Sequence, residues 1–201
     1  ELESPYGVEM LNPSFTKMRE DVGRVTQKHP GSAENGSVYN HAAAFYIYAL
    51  YTKGHKDNAY RLIDKMIPGG NDEDLLQRGQ LPAFIPNYYR GAFKQFPRTA
   101  GRSSQLFNTG TVHWIFRCLI DGLFGLKGEP DGLRVHPQLP EHWKEVKVVR
   151  NFRGAEFHIE MQKVRAISKI QVFQNGQTLK DNIITDFITG SSYQIQVKLP
   201  L

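Results

Sequence analysis

The chain has 201 residues, 40% of them hydrophobic and 22% charged, and a formal net charge of +5; this is a globular composition, and it excludes disorder, collagen and coiled coil. The charge divides as +3 over residues 1–127 and +2 over residues 128–201, so neither half has the concentrated positive field of a nucleic-acid binder. No apolar run approaches the roughly 18 uncharged residues of a membrane span, and the opening Glu-Leu-Glu-Ser lacks the basic and apolar regions of a signal peptide.

In chain order, the first informative stretch is Arg24-Val25-Thr26-Gln27-Lys28-His29-Pro30-Gly31, followed by Glu34. A helix as far as Lys28 puts Arg24 and Lys28 at i and i+4 on one face, where they could jointly hold a carboxylate or simply form a solvated face. Residues 37–53 are apolar around nearly the whole helical circumference and contain no proline, which predicts a helix buried on all sides and closed by Gly54. Residues 57–67 place Ala59, Leu62, Ile63 and Met66 on one helical stripe, with Asp57 as a cap and Pro68-Gly69-Gly70 as the stop. The connection that follows is aromatic and proline-punctuated. From Leu75 to Gln105 it carries Arg78, Arg90, Lys94, Arg98 and Arg102 with no Asp or Glu, a composition suited to a small polar or anionic ligand. Residues 109–126 predict a second largely buried helix.

The period changes after Pro130. Apolar and polar residues alternate in EFHIEMQ, KIQVFQNGQTL and SYQIQVK, and Asn175-Gly176 is a two-residue hairpin signal, so residues 128–201 are expected to form a small antiparallel sheet domain. The boundary is placed at Lys127/Gly128, between domains 1–127 and 128–201.

Chemistry is sought first among the seven histidines. No His-x-x-x-His, Glu-x-x-His or cysteine pair occurs, so no metal site is expected. His41 lies in the first turn of the apolar 37–53 helix, where it is either a satisfied structural histidine or an imidazole facing a cavity. Asn108-Thr109-Gly110-Thr111 leads into the later helix, as an ordinary cap or as an oxyanion cradle. Cys118 sits among Trp114, Ile115, Phe116, Leu119 and Ile120. It reads as an inert buried thiol that cannot close an internal disulfide, which fits a reducing cytoplasm. Residue 1 is Glu, so the chain reads as cut from something longer.

Four segments together closely resemble the disaccharide phosphorylases of glycoside hydrolase family 94: Glu34-Asn35-Gly36-Ser37…His41, Asn108-Thr109-Gly110-Thr111…Trp114, Asp131-Gly132-Leu133-Arg134-Val135-His136-Pro137 and Phe152-Arg153-Gly154-Ala155. The resemblance runs from about residue 20 to residue 160. It implies an α+β multidomain fold, the C-terminal helices of an (α/α)6 barrel followed by a small antiparallel β-sandwich. It also implies that His41, Thr109 and Gly110 bind the attacking phosphate in an inverting phosphorolysis. No aspartate here matches the family's general acid, so no catalytic residue is assigned, the acid is expected upstream, and the isolated chain is expected to be incomplete and inactive.

Where family members acting on neutral sugars have a Tyr-Pro-Gly-like stretch, this chain has Arg24 and Lys28 before His29-Pro30-Gly31. The departure resembles the branch acting on β-1,4-glucosyl aldonic acids, in which an Arg and a Lys so spaced hold the gluconate carboxylate, with Glu34 beside them. The expected partners are a small sugar and inorganic phosphate as substrates, with no cofactor, metal, nucleic acid or membrane, in a cytoplasmic homodimer. Other readings are a phosphorylase for cellobiose or another neutral disaccharide, the phosphorylase-like end of a cyclic β-1,2-glucan synthase, and a non-catalytic carbohydrate-binding module.

Overall fold

A computed structural model describes residues 1–67, 69, 75–76, 78–80, 84–104, 110–165 and 167–201. Pro68 and Gly70 of the expected helix stop lie outside the described residues, as does Thr109. The chain forms two compact units, Glu1–Phe116 and Arg117–Leu201, so the division falls in sequence ahead of the change in pattern at Lys127/Gly128.

The first unit opens with a short hairpin, β1 (Glu3–Ser4) and β2 (Gly7–Val8), and reaches a 3₁₀ helix at Arg24–Gln27. The buried Thr26 hydroxyl fixes that turn, donating to the Gly23 carbonyl at 2.8 Å and accepting from the Arg19 N–H at 2.9 Å. β3 (Val38–Tyr39) follows, leading into α1 (Asn40–Thr52) and α2 (Lys56–Met66). Gly54 separates the two helices in the left-handed region at φ 77°, a conformation in which a Cβ is strained.

α2 buries Ala59, Leu62, Ile63 and Met66, the stripe its spacing predicts. His55, and not Asp57, is its capping residue; Asp57 stands in the first turn, where its charge meets the positive end of the helix. α1 differs from expectation more sharply. It buries Asn40, Ala43, Ala44, Ile47 and Tyr51, whereas Phe45 and Tyr46 are 46% and 51% exposed. An all-apolar circumference states what a helix is able to bury, and the packed neighbours decide what it does bury.

The aromatic connection is more ordered than its prolines suggest. β4 (Tyr88–Tyr89) pairs antiparallel with β3 on one side and with β5 (Ser103–Ser104) on the other, setting Tyr88 opposite Tyr39. Arg78 is turned inward: it is 7% exposed, with its guanidinium 4.9 Å from the Tyr89 ring centre and 5.4 Å from that of Tyr6. α3 (Thr111–Arg117) then follows and buries Thr111 and Ile115, while Val112 and Phe116 stay 45% and 56% exposed, so the later helix is also one-sided.

The second unit begins with a π-helical stretch, Cys118–Leu123, that buries Cys118, Gly122 and Leu123. Burial pushes the Cys118 thiol up to about 12, and the Asp121 carboxylate adds to the rise while Arg117 opposes it. Because the thiolate is the nucleophile, Cys118 is expected to resist iodoacetamide at pH 8 in the folded chain and to react after denaturation; mass spectrometry of the alkylated protein checks this.

Two sheets complete this unit. One has three strands in the order β12-β7-β6, formed by Ile183–Ile184, Gly132–Val135 and Leu126–Glu129. The other has five strands in the order β11-β10-β13-β9-β8, formed by Gln177–Thr178, Gln171–Gln174, Ser192–Pro200, Ala155–Val164 and Glu145–Phe152. Phe157, Ile159 and Met161 of β9 and Ile195 and Val197 of β13 form one buried face of the five-stranded sheet, and Leu126, Leu133, Val135 and Ile184 are buried in the other sheet. Asn175 and Gly176 have φ of 51° and 78° and close the β10–β11 hairpin, as the sequence predicts.

The expectation of a purely antiparallel sheet is corrected, since β13 pairs parallel with β9, Ile195 opposite Ile159 and Val197 opposite Met161. A parallel pair needs a long crossover, which the chain from Arg165 to Ser191 supplies. Alternation with period two is the same in both pairings and does not distinguish them.

Candidate functional site

Two backbone turns build the site in the first unit. The turn 31–37 is organised by Asn35, which is fully buried. Its Oδ1 accepts from the Phe15 N–H at 2.8 Å, and its Nδ2 donates to the carbonyls of Phe15 and Lys28, each at 2.8 Å. Gly36, at φ 87°, passes against the Ser14 hydroxyl and the Leu11 carbonyl where a Cβ has no room. Asn35 and Gly36 of the Glu-Asn-Gly motif are therefore architectural, and Glu34 is left exposed at its tip. Asn35→Ala leaves the part-buried Phe15 N–H and two carbonyls without these partners, so a loss of about 2–4 kcal/mol in unfolding free energy is expected by urea titration.

The second turn is tied to the first. The Gly91 N–H donates to the Gly31 carbonyl at 2.9 Å, and the Phe96 ring lies 5.6 Å from that of His29. Together with the β3–β4 ladder, this brings the aromatic segment beside the Glu-Asn-Gly turn. Between them lies a cavity of about 340 Å³ lined by Met10, Lys28, Ala33, Glu34, Ser37, Tyr39, Asn87 and Tyr88. Lys28 and Glu34 bring one cation and one carboxylate, and Ser37, Tyr88 and Asn87 bring hydroxyl and amide groups, a set that fits a hydroxylated molecule bearing a charge.

The sequence-predicted residues are distributed unevenly over this geometry. Lys28 and Glu34 share the cavity wall, whereas Arg24 is exposed and is not among the lining residues. The helical face expected to align Arg24 with Lys28 does not exist. The helix is 3₁₀ and ends at Gln27, and Lys28 is extended at φ −82° and ψ 144°. In a 3₁₀ helix residues three apart eclipse, so residues four apart diverge.

His41 is half-buried in the first turn of α1. Its ring lies 5.0 Å from Phe45, and Phe45 in turn meets Trp114 of α3 edge-on at 4.4 Å. The Nε2 edge of His41 faces Gly110, so closely that a Cβ added to Gly110 falls 2.5 Å from Nε2. Gly110 precedes α3, and its carbonyl accepts from the Trp114 N–H at 2.9 Å. His41 and Gly110 are thus brought together although far apart in sequence.

Met10, Ala33, Tyr39 and Asn87 of the cavity are not singled out by the sequence, and Tyr88 enters only as one of the aromatics of the 75–105 stretch. The available signal is the pair of short β-prone dipeptides Val38-Tyr39 and Tyr88-Tyr89, whose pairing creates this wall. Among the described residues no group of three His, Cys, Asp or Glu side chains could hold a metal, and no helix is long and apolar enough to cross a membrane.

Comparison with known proteins adds the family. Residues 1–125 match the glycosyl hydrolase 94 superfamily, catalytic domain. The chain is 52% identical over 200 residues to a cellobionic acid phosphorylase of Neurospora crassa, covering 99% of this chain and 25% of that protein. It is 32% identical over 200 residues to a 3-O-beta-D-glucopyranosyl-beta-D-glucuronide phosphorylase of Paenibacillus borealis, covering 98% of this chain and 26% of that protein. It is 30% identical over 200 residues to an N,N'-diacetylchitobiose phosphorylase of Vibrio furnissii, covering 98% of this chain and 24% of that protein. The chain therefore spans about a quarter of the length of these relatives. By the extent of the catalytic-domain match and by these identities, the chain belongs to the glycosyl hydrolase 94 superfamily.

Proposed function

We propose that this chain is part of an inverting phosphorylase that converts cellobionic acid and phosphate to α-glucose 1-phosphate and gluconate. A phosphate oxygen attacks the anomeric carbon from the face opposite the leaving gluconate, the glycosidic C–O bond breaks, and a general acid outside this chain protonates the departing oxygen. α1, α2 and α3 belong in this reading to an (α/α)6 barrel completed by the rest of the protein.

The observation that carries the proposal is the sequence of contacts from Lys28 through the cavity wall to Tyr39, from Tyr39 to His41, and from His41 to Gly110. In this reading Lys28 is the cation for an acidic acceptor sugar, and His41, Thr109 and Gly110 hold the nucleophilic phosphate. Lys28 grips the acceptor carboxylate, Glu34 accepts from acceptor hydroxyls, and Arg24, exposed at the start of the preceding turn, adds only a weaker charge from outside the cavity wall. Two of the relatives, the cellobionic acid and the glucuronide phosphorylases, are named for disaccharides with an acidic sugar, which supports a carboxylate-binding acceptor site.

Synthesis from α-glucose 1-phosphate by the complete enzyme, with gluconate or glucose as acceptor, tests the assignment. Gluconate is expected to be used with the larger kcat/KM, and a preference for glucose overturns it.

A further inference from the structure

Tyr39 ends β3 immediately before α1 and belongs to both halves of the site. One side of the residue lines the cavity that holds Lys28 and Glu34. On the other, its hydroxyl stands 3.4 Å from Nδ1 of His41, with the two rings edge-to-face at 5.9 Å. Tyr88 across the ladder packs edge-on against Tyr39 at 6.4 Å and limits where the phenol ring can turn. The opposite nitrogen of the imidazole, Nε2, is the one that faces Gly110.

A neutral imidazole has one N–H and one lone pair, and the partner of one nitrogen decides the state of the other. A tyrosine hydroxyl donating to Nδ1 occupies that lone pair and leaves the proton on Nε2. We infer that Tyr39 is a positioning residue that holds His41 in its Nε2–H form, so that the imidazole offers a donor to phosphate at Gly110. The inference rests on the phosphate role proposed above for His41 and Gly110.

Without the phenol hydroxyl, His41 divides between its two tautomers, and in one of them a lone pair faces the anion. The loss falls on phosphate and spares the disaccharide, because the phenyl ring still walls the cavity.

The test uses the complete enzyme and inorganic phosphate, with the variants Tyr39→Phe, His41→Ala and the double variant, each read as separate KM values for phosphate and disaccharide. Tyr39→Phe is expected to raise the phosphate KM roughly fivefold and to leave the disaccharide KM within about twofold, with no further rise when added to His41→Ala. A residue that merely shapes the wall moves the disaccharide KM on both backgrounds and leaves the phosphate KM alone, and that result overturns the inference. A general loss of stability appears on both backgrounds and counts against it equally. If His41→Ala raises the phosphate KM and Tyr39→Phe does not, only the role of Tyr39 falls. If His41→Ala also leaves it unchanged, the phosphate site falls with it.

Discussion

Replacing His41 with alanine in the complete enzyme is expected to lower kcat/KM for phosphate ten- to a hundredfold and to change disaccharide binding far less. Nε2 of His41 faces Gly110 so closely that a Cβ there falls 2.5 Å from the ring nitrogen, so the imidazole edge and the Gly110 backbone lie side by side. A hydrogen bond to a charged group contributes about 1.5–3 kcal/mol, which sets that range. The side chain also packs on Phe45, so alanine removes some apolar contact as well; that loss appears in the unfolding midpoint and does not depend on which substrate is varied. Steady-state kinetics with each substrate varied in turn separates the two effects, and an unchanged constant for phosphate makes His41 a core histidine only.

Replacing Lys28 with alanine is expected to cost about 2–3 kcal/mol with gluconate as acceptor and almost nothing with glucose. Lys28 is half-buried and lines the cavity with Glu34, Tyr39 and Tyr88, and a charge pair formed in such a place counts for more than at an open surface. A neutral acceptor presents no carboxylate to lose. Arg24→Ala is expected to act in the same direction with a smaller effect, because Arg24 opens the 3₁₀ turn, four residues before Lys28, and lies off the cavity wall. Acceptor kinetics of both variants decide this, and equal losses on gluconate and glucose remove Lys28 from acceptor recognition.

Where one short-range rule acts alone, the sequence is a good guide. The i, i+3, i+4, i+7 spacing of Ala59, Leu62, Ile63 and Met66 defines the buried stripe of α2, and Asn175-Gly176 places its hairpin. Long-range partners are not encoded so locally. Phe45 and Tyr46 fit a buried helix but are only about half covered in this unit, and β13 joins β9 in parallel with the alternation an antiparallel strand also has. Arg78 belongs to a basic, aromatic stretch that resembles a ligand loop, yet its charge is spent on Tyr6 and Tyr89.

The site divides in the same way. His41, Gly110, Lys28 and Glu34 stand out in sequence because their motifs are distinctive. Tyr39, Asn87 and Tyr88 do not, because they become neighbours only through the β3–β4 ladder. Thr109 falls outside the described residues. The Arg24–Lys28 alignment assumed an α-helix where Thr26, bonding to Gly23 and Arg19, holds a 3₁₀ turn.

Proton NMR of the complete enzyme acting on cellobionic acid in phosphate buffer tests most directly whether a phosphate site is joined to an acceptor site for an acidic sugar. The expected result is α-glucose 1-phosphate and gluconate appearing together, with cellobionic acid consumed faster than cellobiose at equal concentration and no turnover when phosphate is omitted. Free glucose formed without phosphate, or faster consumption of cellobiose, contradicts the account.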